Sequence, residues 1–127
     1  MESILTQKQV DKRLKYWQEK LRLQDWIITV SIQRARHMRE ECAGDVSYEV
    51  TKKMAHINIL DPIDYPEFAM IEHDMENTLV HELLHLHFAP ISKEFVAGDE
   101  QYQLFEEQAI ESISSGLIAV ERKQVKV

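Results

Sequence analysis

Side chains suited to metal chemistry lie near the middle of the chain, in the segment HELLH at residues 81–85. On an α-helix, histidines four residues apart share one face, so the rings of His81 and His85 can meet at one metal ion. Glu82 lies about 100° around the helix from His81, within reach of a water on that metal but not as a ligand. The other side of the helix is apolar, with Leu79, Val80, Leu83 and Leu84. We therefore expect the histidines to face a cleft.

A third ligand has to come from another part of the chain, because catalytic zinc takes three protein ligands and leaves one position for water. The segment FEEQAIES near the C-terminus offers Glu106, Glu107 and Glu111. Glu107 and Glu111 are four residues apart and share a helical face. One of them can bind the metal, while the other accepts the free N–H of a ligating histidine. Glu106 is interpreted as part of a solvated acidic face.

The pattern His81-Glu82-x-x-His85 followed by Glu107-x-x-x-Glu111 resembles the gluzincin clan of zinc metallopeptidases, to which thermolysin belongs. The resemblance implies a zinc cofactor bound by His81, His85 and Glu107, with Glu111 accepting a hydrogen bond from His81. The clan carries aspartate at that last position, so Glu111 departs from the pattern by one methylene. The short chain is most similar to minigluzincins and to short metallopeptidase-like proteins encoded by phages and prophages.

Peptide-bond hydrolysis is the chemistry that this resemblance implies. Zinc activates a water and polarises the scissile carbonyl, while Glu82 takes the proton of the water and passes it to the leaving amine. The substrate would be a peptide or protein held along the edge of the sheet, with Val46–Val50 as the edge strand and Ala55–Leu60 beside it. Three residues are candidates for steadying the oxyanion: Tyr48, His56 and Tyr102.

The elements that must position these residues form a small α+β domain over residues 1–127. Helical spacing and a capping box at Thr6 and Gln9 predict a first helix over residues 7–23. Trp26–Ile32 reads as a strand, and Val46–Val50 with Ala55–Leu60 reads as a hairpin. A second helix is predicted over Phe68–Phe88 and is stopped by Pro90. A third helix is predicted over Glu100–Val120, after a break at Gly98 and before a solvated tail. The expected order is therefore helix, three-stranded sheet, metal-binding helix and glutamate helix.

The composition narrows the class of protein. The chain has 127 residues, a net charge of −7 and a single cysteine. The acidic balance argues against binding to nucleic-acid phosphates, and no apolar run or leader suggests a membrane or export. These features predict a cytoplasmic protein, and the resemblance implies a zinc-dependent peptidase, of narrow specificity because the chain is short, or of latent activity. The alternatives are a catalytically silent metal-binding module and a metal-free helical interaction protein.

Overall fold

A computed structural model describes residues 3–39, 41–92 and 99–125. In it the protein is an α+β domain of three helices and a small three-stranded mixed sheet. The elements in chain order are α1 (Gln7–Lys20), β1 (Ile27–Gln33), β2 (Gly44–Glu49), β3 (Met54–Leu60), α2 (Met75–Ser92) and α3 (Glu100–Val125). The predicted fold class and element order are therefore confirmed. Of the helices in these ranges, none is both long and apolar enough to cross a membrane.

The sheet has the order β1-β3-β2, with β3 in the centre. β1 runs parallel to β3, and β2 runs antiparallel to it, from Gly44 opposite Ile59 to Glu49 opposite Met54. The predicted hairpin and its edge strand are confirmed. The parallel pairing of β1 with β3 was not predicted, because strand order depends on long-range contacts that local patterns do not specify.

The two faces of the sheet differ in polarity, as the alternation along β3 requires. Ala55, Ile57 and Ile59 point into the core, and His56 and Asn58 point to the open face. The open face carries a hydrogen-bonded polar layer, formed by Thr29, Ser31, Asp45, His56 and Asn58. α2 packs against the other, apolar face of the sheet.

The core is centred on α2, which packs against the sheet, α1 and α3. Leu79, Val80, Leu83 and Leu84 are all buried, as the periodicity predicted. α1 contributes the stripe of Val10, Leu14 and Trp17, and its capping box at Thr6 and Gln9 is present. Because α2 is clamped on three sides, its remaining face has a fixed orientation.

The start of α2 differs from the prediction. The helix begins at Met75 rather than near Phe68, because Asp74 caps it: the Asn77 N–H donates to Asp74 Oδ1 at 3.1 Å. The preceding segment is anchored by His73, whose buried ring donates from Nε2 to the Leu60 carbonyl at 2.7 Å. Tertiary contacts of His73 therefore override the helical periodicity of these residues.

The predicted C-terminal ends of the helices also differ from those in the structure. α1 stops at Lys20 because Arg22 adopts a left-handed conformation (φ 61°) and the Leu23 N–H donates to the Gln18 carbonyl at 2.8 Å. α2 continues through Pro90 to Ser92, whose hydroxyl donates to Glu106. The predicted tail is helical to Val125, because its Arg122 pairs with Asp74 at 2.6 and 2.9 Å. Gly98 lies outside the described residues.

Candidate metal centre

The structure brings His81, His85 and Glu107 together between α2 and α3. Each offers one ligand atom, and these atoms all lie within 4.8 Å of one another. One Glu107 oxygen lies 3.0 Å from His81 Nε2 and the other lies 2.9 Å from His85 Nε2. A tetrahedral zinc ion separates its ligand atoms by about 3.4 Å, so this donor set fits the ion after small movements.

The other ring nitrogens point away from Glu107, toward two further carboxylates. His81 Nδ1 lies 2.8 Å from Glu111, the contact expected from the resemblance despite the longer side chain. His85 Nδ1 lies 2.7 Å from Glu106. Metal-binding histidines usually donate their second N–H to such an acceptor, which fixes the tautomer and the ring orientation. Both imidazoles are thus oriented with Nε2 toward the shared point.

Glu106 was misjudged from the sequence. It is not part of a solvated face: its side chain is only 11% exposed, and it accepts hydrogen bonds from both His85 and Ser92. The chemistry of metal-binding histidines could have predicted this role of Glu106. Two ligating histidines need two acceptors for their second N–H groups, and Glu111 serves only one of them.

The ionisable side chains at this centre shift one another's pKa values. Burial pulls the pKa of His85 down, but hydrogen bonds to Glu107 and Glu106 and the charge of Glu82 raise this pKa overall to about 9. The pKa of His81 is raised by similar contacts against the same effect of burial. Hydrogen bonds from both histidines hold the pKa of Glu107 well below its usual range. The carboxylates around the two imidazoles therefore stabilise positive charge at this point.

Glu82 differs from these carboxylates in its surroundings. It is 6% exposed, and burial raises its pKa to about 7. Within residues 3–39, 41–92 and 99–125, no side chain or backbone group donates a hydrogen bond to it. A buried carboxylate of this kind is suited to accept a proton near neutral pH.

The centre opens into a cleft of about 770 Å³. The cleft is lined by the beginning of β2 and the segment before it, and also by Tyr102 and the glutamates of α3. Two of the three candidate oxyanion residues, Tyr48 and Tyr102, line this cleft. His56 does not, because it lies on the open face of the sheet, bonded to Thr29 and Ser31. His56 is therefore excluded as a candidate.

Gly44 is a further residue that the sequence did not single out. It lies at the first position of β2 and lines the cleft beside Thr78 and Glu82. Gly44 lies where a strand and a helix approach closely, and no local sequence motif indicates such an approach.

Comparison of the chain with protein-family models, with curated proteins and with solved structures finds no significant match.

Proposed function

We propose that this protein is a zinc-dependent metallopeptidase of gluzincin type. The observation that carries the proposal is the convergence of His81 Nε2 and His85 Nε2 on Glu107, with the buried carboxylate of Glu82 in the same cleft. Each feature has a place in hydrolysis: three ligands, an open side for water and a general base. A purely structural zinc site would instead be closed by four protein ligands.

Zinc bound by His81, His85 and Glu107 would supply Lewis acidity, lowering the pKa of a water and polarising a carbonyl. Glu82 would hold the proton taken from that water and deliver it to the leaving amine. Glu106 and Glu111 would keep the two imidazoles in the tautomer that presents Nε2 to the cleft. Tyr48 and Tyr102 remain the candidates for the oxyanion.

The substrate would be a peptide or protein segment in extended conformation. β2 is an edge strand whose residues Val46 and Tyr48 line the cleft, so its outer edge can pair with an added strand. Backbone pairing of this kind would place a scissile bond beside Glu82.

Glu82→Gln tests the proposal, because it removes the base while preserving size and leaving the three ligands intact. We expect one zinc ion per chain in both proteins, and loss of hydrolysis of internally quenched peptide mixtures by at least 10²-fold in the variant. Glu67→Gln, an exposed residue outside the cleft, is the matched control and should leave hydrolysis unchanged.

Two results would contradict the proposal. Wild type that binds no zinc, either as purified or after zinc is added, would exclude a metalloenzyme. Metal-loaded wild type and Glu82→Gln that behave identically in every assay would favour the alternative, a metal-binding module without turnover.

A further inference from the structure

The first residue of β2 passes unusually close to Glu82. A methyl carbon at Gly44 would lie 2.4 Å from Thr78 Cγ2, 3.2 Å from Glu82 Oε2 and 3.3 Å from the Asn58 carbonyl oxygen. Separations under 3.0 Å essentially never occur for real Cβ atoms. Any side chain at this position therefore has to displace one of its neighbours.

The requirement for glycine is one of space and not of backbone conformation. The φ angle of Gly44 lies outside the left-handed region, so an alanine could adopt the same backbone. The strand itself cannot easily retreat. Gly44 is paired with Ile59, and the Leu60 N–H donates to the Ala43 carbonyl at 2.8 Å. The displacement would therefore fall on the two α2 side chains that face Gly44, those of Thr78 and Glu82.

Thr78 and Glu82 are the residues of α2 that lie nearest to Gly44. They are four residues apart, one turn along the helix, and both lie against Gly44. The Glu82 carboxylate receives no hydrogen bond from the described part of the chain, so its position is set by packing and by the nearby charges of His81 and His85. A change in that packing is therefore not opposed by a hydrogen bond from those residues.

We infer that Gly44 is a positioning residue for Glu82, because its missing side chain leaves the space beside β2 in which the Glu82 carboxylate and the Thr78 side chain lie. The inference rests on the proposed function for the role of Glu82, but the position of the carboxylate can be measured without any activity.

Gly44→Ala is the test, combined with Thr78→Ser, which removes the methyl group at 2.4 Å. In crystals of the metal-free proteins, we expect the Glu82 carboxylate of Gly44→Ala to move by a few tenths of an ångström, and by less in the double variant. A displacement of about 1 Å can lower rates by about 10²-fold, so one of a few tenths should lower them by roughly tenfold. With a quenched peptide that the wild type cleaves, we expect that fall in kcat at similar KM, with an intermediate kcat in the double variant.

Gly116→Ala is the matched control, because a methyl group there meets nothing within 4 Å. It should leave the carboxylate position, zinc stoichiometry and kcat at wild-type values.

The inference is overturned if the carboxylate of Gly44→Ala stays in its wild-type place, or if Thr78→Ser recovers nothing. Loss of zinc and of folded protein in proportion to the loss of kcat would also overturn it, since Gly44 would then be merely structural. If Gly44→Ala does not fold, the kcat of the double variant is the test. A wild-type kcat in the double variant then contradicts the inference. A wild type without hydrolysis would instead contradict the proposed function, and the crystal comparison would still stand.

Discussion

At the candidate centre, each imidazole uses both of its ring nitrogens. His81 lies between Glu107 and Glu111, and His85 lies between Glu107 and Glu106. The shared member, Glu107, meets the two Nε2 atoms, and the outer members meet the two Nδ1 atoms. This arrangement separates the acid that would bind the metal from the acids that would orient its ligands.

Glu106→Ala should weaken zinc binding by 10- to 100-fold, because the His85 ring would lose the acceptor for its Nδ1–H. Competition with a chromophoric chelator measures the affinity directly. Gln108→Ala, an exposed change on the same helix, is the control and should leave the affinity unchanged. A decrease of less than about threefold would show that Glu106 does not orient His85.

At the scale of elements, α3 is held to the rest of the protein along its length. Its first half meets the histidines of α2. Its last turns meet α1 and the start of α2, where Arg122 binds Asp74 and Glu121 accepts from Tyr16 at 2.6 Å and from Arg13 at 3.2 Å. The carboxylates that face the histidines are therefore positioned by contacts far from the centre.

The buried carboxylate of Glu76 lies among the contacts that hold the last turns of α3 to α1 and to the start of α2. Arg13 Nε and Trp17 Nε1 both donate to it at 2.7 Å, and Arg122 Nη2 lies 4.0 Å away. Arg13→Ala should lower the free energy of unfolding by about 3 kcal/mol, near the lower end for a buried pair, because Arg122 still compensates part of the charge. Urea unfolding provides the measurement.

Lys15→Ala is the control for that experiment, since Lys15 is exposed on the same helix. It should leave the unfolding midpoint almost unchanged. A loss below about 1 kcal/mol for Arg13→Ala would mean that the pair behaves like an exposed one.

For the whole molecule, a metal at this centre would join α2 to α3. Glu107 is the ligand from α3, and the histidines are the ligands from α2. Zinc at 100 times its Kd should stabilise the folded chain by about 2.7 kcal/mol, or roughly 10 °C in Tm for a domain of this size.

Differential scanning fluorimetry with and without zinc checks this expectation. Glu82→Gln should keep the shift, and Glu107→Ala should lose most of it. An equal shift in wild type and Glu107→Ala would place the zinc elsewhere, and no shift in any of them would argue against a metal centre.

Local signals in the sequence determined most of the elements and the histidine pair. The capping box at Thr6, the apolar stripe of α1 and the alternation of β3 each act within a few residues, so they can be recognised without a fold. The spacing of His81 and His85 fixed their shared face for the same reason, and the spacing of Glu107 and Glu111 placed both carboxylates toward one side of α3.

Only the tertiary structure decided which of these faces meet. It paired α3 with α2 so that Glu106 reaches His85, set β1 parallel to β3, and moved the start of α2 to Met75 through the anchoring of His73. It also brought Gly44 against Glu82. These are contacts between distant segments, which form because burial of the shared core outweighs local preference, and no neighbouring residue in the chain encodes them.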